Sequence, residues 1–235
     1  TAMVGLNTVP DSLLEDSTVQ TYSSPLRSAV MVFFNNTQGL LADAAIRQAL
    51  TIGTDANSIR TSVDYQLIGV DSPFLKSHFA YDETSVQKQF NREQAQQLLT
   101  EQGWIVGEDG FRYKDGIQLS LRIVSQSLAE YSTMVTNLQS QWRELGINLD
   151  AVLQPEEEVQ SSVIGAHKYE ILLYGIAIGP DPDVFAFWHS SQADPRLSTR
   201  LNLSEYSSEV ADTSLEAGRT RVDEDLRKVK YKPFL

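Results

Sequence analysis

The chain contains no cysteine, which removes thiol nucleophiles, thiolate metal sites and disulfide staples together. Histidine is almost as scarce: His78, His167 and His189 stand too far apart in sequence to form a metal cluster by spacing. No metal or other cofactor is expected. Positive charge is also short, with 19 Lys+Arg against 31 Asp+Glu and a net charge of −12. A field of that sign repels phosphate backbones and anionic headgroups, so nucleic acid and membrane surfaces drop out as main partners. No run approaches the ~20 apolar residues of a membrane span, and Thr1 to Asp16 lack the basic-then-apolar form of a signal peptide. Thr1-Ala2-Met3-Val4 reads as an expression scar or as a cut into something larger.

What is present describes one large α/β unit. At 235 residues the chain exceeds the usual small domain and can bury a sizeable core without staples. Arg27 to Phe34 is β-branched and aromatic, bounded by Ser24-Pro25 and Asn35-Asn36, and predicts a buried strand. Asp43 caps a helix carrying Ala45, Ile46, Ala49 and Leu50, and Asp55 caps a shorter one with Ile59 and Val63. Residues 64–90 have no regular period, and so long an irregular connection points to function or to a surface left bare by a missing part. Asn91 caps a helix through Gln102 with Phe90 as its staple. Residues 103–125 read as a hairpin about Asp115-Gly116. Ser127 and Glu130 match a capping box for a helix carrying Leu128, Tyr131, Val135, Leu138, Trp142 and Leu145. A strand with Ile147, Leu149, Ala151 and Leu153 follows, parallel to the one before the helix. A helix over 156–166 then precedes Tyr169 to Ile178, apolar enough for a strand covered on both faces. That strand ends at Gly179-Pro180-Asp181-Pro182-Asp183, and in open α/β sheets ligands sit at such carboxyl ends.

The order and wording of several stretches resemble the bacterial extracellular solute-binding proteins of family 5. FFNNTQGLLADAAIRQALTIGTD (33–55) is similar to that family's "FN…D.rvRqAl..aiD", and FNREQAQQLLTEQGW (90–104) to its "yd.ekAk.lL.eaGw". GINLD (146–150), the stretch from Tyr174 to Trp188, and LNLSEYSSEVADTSLEAGRTRVDEDLR (201–227) continue the match. Each motif alone is weak, while the ordered set over about residues 17–235 is specific. The resemblance implies a periplasmic-binding-protein-like clamshell of type II, with this α/β chain as its second lobe: a mixed sheet with helices on both faces. Residues 1–26 would lead into the lobe and 27–235 would form it, the first lobe having no counterpart here. It implies a receptor that hands a small solute, for instance an oligopeptide, to ABC permease subunits. Such a receptor works outside the cytoplasm, commonly lipid-anchored, and as a monomer.

In peptide-binding members the loop after this strand reads "GW.aDY..P", and its Asp anchors the peptide ammonium. Here Ile176 stands at the Trp position and Gly179 at the Asp position, unless a single-residue gap brings Asp181 there. The implied ligand-binding set is Asn35, Ile176, Ile178, Gly179, Pro180, Asp181 and Trp188, with catalytic and metal residues absent.

Other readings of these motifs remain. Asp181 and Asp183 form an acid/base pair on paper, making a hydrolase the rival class. The plainer reading is a Pro182 turn with Asp183 capping the helix into Phe187-Trp188. Trp188-His189-Ser190-Ser191 hints at a nucleophile, but no third group orients a base. Arg219, Arg221 and Arg227 read as a salt-bridged solvated face among acids. A sensor or adhesion module using the same lobe for partner binding is the third class.

Overall fold

The computed structural model describes residues 9–22, 26–194 and 201–235. The Thr1–Val4 reading and the Ser24-Pro25 boundary lie outside these residues. After a one-turn α1 (Asp11–Leu14), β1 (Ser28–Phe34) enters a four-stranded sheet with β5 (Ser120–Gln126), β6 (Asn148–Gln154) and β7 (Ile171–Ala177). The order is β1-β7-β5-β6. β5 runs parallel to both β6 and β7, while β1 pairs antiparallel with β7 from Ser28↔Ala177 to Phe34↔Ile171. The sheet is therefore mixed. A separate three-stranded sheet is built from β2 (Ile105–Val106), β3 (Arg112–Lys114) and β4 (Ile117–Gln118).

Alternation along the strands feeds two cores. Leu121, Ile123, Ile171 and Leu173 point to one face and meet Ile46 and Leu50 of α2 (Ala44–Ile52), Leu99 of α4 (Arg92–Glu101), and Leu138 and Trp142 of α5 (Ala129–Glu144). Phe33, Val124, Leu172 and Ile176 point to the other. There they meet Val159 and Val163, Phe187 of α7 (Phe185–Trp188), Leu215 of α8 (Glu209–Arg219) and Tyr231 of α9 (Glu224–Tyr231). β7 is thus apolar on both sides, as its unbroken run predicts.

The short polar signals act as expected where the backbone leaves them free. The Asp43 carboxylate accepts from Ala45 N at 2.8 Å, Asp55 caps α3 (Ala56–Thr61) through Asn57 N and Ser58 N, and Asn91 caps α4 through Gln94 N. Asp43→Ala is expected to cost about 1 kcal/mol, the usual worth of such a cap, measured by urea denaturation.

Four expectations need correction. Residues 103–125 are not one hairpin. The turn at Asp115 (φ 51°) and Gly116 (φ 78°) joins only β3 and β4, and the chain then leaves the small sheet at Leu119 to enter the large one as β5. Ser127 does not cap α5, because its backbone N donates to Gln154 O at 2.8 Å and prolongs the strand ladder; Leu128 takes the cap position without a side-chain bond. Phe90 is no staple: it stays 41% exposed, with the Arg92 guanidinium 5.7 Å from its ring centre. The helix over 156–166 is a single α turn, α6 (Glu156–Glu158), followed by wide π-type turns over Val159–Ile164.

The irregular segment 64–90 has no helix or strand, yet it is not a bare surface. Phe74 and Ala80 are buried, and the Phe74 ring lies 5.2 Å from Tyr231 and 5.8 Å from Phe234. Those aromatic contacts fasten the segment across α9 and the last residues of the chain.

Candidate ligand-binding edge

At the carboxyl end of β7 the chain passes through Ile178, Gly179 and Pro180 into the Asp-Pro-Asp turn. Two carboxylates two residues apart repel each other, and the structure supplies each with an arginine. Asp181 accepts a bidentate pair from Arg227, Nη1 to Oδ2 at 2.8 Å and Nη2 to Oδ1 at 2.7 Å. Its Oδ1 also accepts from Asp183 N at 2.9 Å, closing the turn. Asp183 is bridged by Arg219 at 3.1 Å and accepts from Phe185 N at 3.2 Å, but the cap position of α7 is Val184, without a side-chain bond, so Asp183 closes the turn from one residue earlier than the plainer reading expects. The Arg227 hydrogen bond holds the Asp181 carboxyl below the usual carboxylate range. A group so stabilised as an anion is a poor proton donor at neutral pH, which speaks against its service as a general acid.

Arg227 is therefore no member of a solvated face. It is only 9% exposed, donates through Nε to Gly218 O at 3.2 Å and through Nη2 to the Tyr231 hydroxyl at 3.2 Å, and lies 5.1 Å from the Phe79 ring centre. Arg219 lies 4.1 Å from the Phe185 ring centre, and of the three only Arg221 is exposed without such a contact. A second clamp comes from His78, buried in the irregular segment. Its Nδ1 accepts from Leu75 N at 3.2 Å, which places the proton on Nε2 to donate to Gly179 O at 3.0 Å. Neither clamp is visible as a motif; the one signal for the first is the i, i+4 spacing of Arg227 and Tyr231 within an otherwise charged helix.

The seven residues singled out from the sequence do not all meet. Pro180 and Asp181 are exposed and Gly179 is half-buried at the loop surface. Ile176 (5% exposed) and Ile178 (7%) belong to the second core beneath them, and Trp188 packs 6.3 Å from Phe33 and 6.5 Å from Phe234. Asn35 is at the other end of the sheet: its backbone N donates to Glu170 O at 2.8 Å, just before β7 begins. β7 itself, seven residues and about 20 Å long, separates it from Gly179. Asn35 is fully buried and donates to Glu205, which also accepts from Thr37 and meets His167 Nδ1 at 3.1 Å. A depression of about 650 Å³ opens at that same amino end, between Gln38, Arg122, Asp150, His167, Lys168 and Glu170. Its Arg122 is already paired with Asp150 at 2.9 Å.

The His189-Ser190 pair makes no nucleophile. The Ser190 hydroxyl donates to Asp212 Oδ2, and His189 Nδ1 accepts from Ser191 N, so the imidazole is not aimed at the hydroxyl. Among the described residues no group of three or more His, Asp or Glu could hold a metal ion.

The description "Bacterial extracellular solute-binding proteins, family 5 Middle" matches residues 4–196. The chain belongs to this family. The oligopeptide-binding protein AppA of Bacillus subtilis (strain 168) is 24% identical over 202 residues, covering 83% of this chain and 36% of the relative. Among solved structures, NikZ from Campylobacter jejuni in complex with Ni(L-His) superposes with a TM-score of 0.79 at 27% identity, over 89% of this chain and 42% of NikZ. A periplasmic oligopeptide-binding protein from Thermotoga maritima with bound mannohexaose also reaches 0.79, at 16% identity, over 91% of this chain and 42% of that one. The chain thus spans less than half the length of these relatives. The α/β periplasmic-binding fold expected from the sequence is the fold these family 5 proteins share, and the family is one of extracellular binding proteins. No helix among the described residues is long and apolar enough to cross a membrane.

Proposed function

We propose that this chain is the second lobe of a substrate-binding receptor of an ABC importer. It captures a peptide-like or other small solute between two lobes outside the cytoplasm and delivers it to the membrane permease. The work is binding and a shift of population between open and closed forms, with no bond made or broken. The observation that carries this reading is the rigid turn at the carboxyl end of β7, clamped by Arg227, Arg219 and His78 within a family 5 chain. Gly179, Pro180 and Asp181 would touch the solute, with Ile176, Ile178 and Trp188 as the packed support beneath them. Asn35 would serve by fixing the entry to β7. An ammonium anchor at Asp181 is disfavoured, since both carboxylate oxygens are already engaged. A lipid anchor and monomeric action complete the reading.

Pockets of this kind lie between domains. The 235-residue chain alone is therefore expected to bind the solute that co-purifies with the full-length receptor at least tenfold more weakly than that receptor, about 1.4 kcal/mol or more. Mass spectrometry identifies the solute and calorimetry gives the ratio; equal affinities would sink the inter-lobe reading. Turnover of any substrate in a glycoside and peptide panel, lost in Asp181→Asn, would replace it with the hydrolase.

A further inference from the structure

The carboxyl edge holds a second feature that the β7 turn does not use. Gln126 and Gln154 are the last Cα partners of the parallel β5–β6 ladder, so their side chains leave the sheet on the same face. The β5–β7 register runs to Ser125↔Leu173, and one further step sets Tyr174 beside Gln126. Tyr174, Val124 and Val152 share the second core, which fixes that face. Three polar side chains thus form a row across three parallel strands, at the ends of β5 and β6 and in the middle of β7.

Two of the three lack protein partners. Gln126 is 6% exposed, and its amide makes no hydrogen bond among the described residues. Gln154 Oε1 is buried with no partner. An unmatched buried polar group costs about 1–3 kcal/mol; Gln154 Oε1 is such a group, while the Gln126 amide beside it keeps contact with solvent and is free to meet a ligand. The third member is half engaged: the Tyr174 hydroxyl accepts from Gln160 Nε2 at 3.2 Å and keeps its own proton to donate. Gln160 is oriented by Glu156 Oε1 at 3.0 Å.

We propose that Gln154, Gln126 and Tyr174 form a subsite for an uncharged amide group of the solute, such as a peptide unit. The proposal rests on the reading that this edge faces the inter-lobe cleft. Carboxamides present donor and acceptor together, which is what a planar amide requires, whereas an anion would find two carbonyl acceptors and the Glu156 carboxylate close by.

The test uses the full-length receptor, a library of unblocked tri- to pentapeptides and native mass spectrometry, with nickel–histidine and mannohexaose as competing probes. Gln126→Met and Gln154→Met, near in size and without the amide, are each expected to weaken peptide retention about fivefold to tenfold, one lost hydrogen bond. The thermal midpoint of each variant should stay level or rise, because no bond within the fold is removed. Unchanged retention in both variants overturns the subsite, as does a midpoint that falls along with retention, which would assign the amides to the fold. A wild-type receptor that takes nickel–histidine or mannohexaose but no peptide also overturns it, leaving the receptor reading in place. A wild-type receptor that takes none of the probes overturns the subsite as well, and overturns the receptor reading too if no solute co-purifies with it.

Discussion

Replacing Arg227 with methionine is expected to lower the unfolding free energy by about 3 kcal/mol and to loosen the turn at 179–183. The side chain is 9% exposed and joins three parts of the chain: Asp181 in the turn, Gly218 O at the end of α8 and the Tyr231 hydroxyl on α9. Methionine keeps much of the apolar packing but leaves the carbonyl and the hydroxyl without this donor. Hydrogen bonds to a charged group are worth about 1.5–3 kcal/mol each, and the Asp181 share must be discounted because its side chain is 56% exposed and water can replace the guanidinium. Arg227→Lys should recover little, since a single ammonium cannot match the bidentate geometry.

The same pair sets an acid limit. A carboxyl whose folded-state pKa is depressed contributes stability that is complete above its unfolded value, about 3.9, and that disappears as pH falls through the lower folded value. Asp181 is such a group. Between pH 5 and pH 2 the wild type should therefore lose more stability than Asp181→Asn, as read from urea midpoints. Parallel losses would show that the ion pair contributes nothing to the fold.

Much of this architecture is legible in the residues because it rests on local rules. The alternation of Leu121, Ile123 and Leu149, the unbroken run of β7 and the caps Asp43, Asp55 and Asn91 each report a preference satisfied within a few residues. Where the reading fails, a distant strand or helix has claimed the same atoms. The backbone of Ser127 is taken by Gln154, 27 residues on, before its side chain can cap a helix. Arg227 looks like one charge in a solvated acidic helix until α9 is packed against the β7 turn, 46 residues away in sequence. The candidate site follows the same division. Gly179, Pro180 and Asp181 are readable from the strand stop, but the clamps from His78 and Arg227 and the row of Gln154, Gln126 and Tyr174 exist only once the sheet order and register are set. Asn35, named with the loop residues as a ligand contact near the inter-lobe crossing, stands at the opposite end of β7 from the turn because β1 runs antiparallel to β7.

Gly218→Ala is expected to destabilise the chain by about 3 kcal/mol, with a lower urea midpoint, although alanine ordinarily strengthens a helix over glycine by up to about 1 kcal/mol. Gly218 lies in α8 without a positive φ, so the backbone gives no reason for glycine there. The reason is the Tyr231 ring, whose Cε1, Cδ1 and Cζ atoms would stand 2.2, 2.5 and 2.6 Å from a new Cβ. That ring cannot simply retreat: it is fully buried, and its far contacts are Phe74 at 5.2 Å and the Arg227 guanidinium 5.7 Å from its centre. Relief must come from α8 and α9 moving apart, which is the kind of overpacking that costs 1–3 kcal/mol and occasionally more. Separation of these helices would also shift Arg227, and with it Asp181, so the same substitution should weaken solute binding by the full-length receptor although Gly218 is not among the proposed solute contacts. The double variant Gly218→Ala, Tyr231→Leu separates the two causes, since a smaller side chain makes room for the methyl group. If the clash is responsible, Gly218→Ala should cost clearly less in the Tyr231→Leu background than in the wild type. An equal cost in both backgrounds would place the effect within α8 itself and remove the mechanical link from this helix pair to the turn.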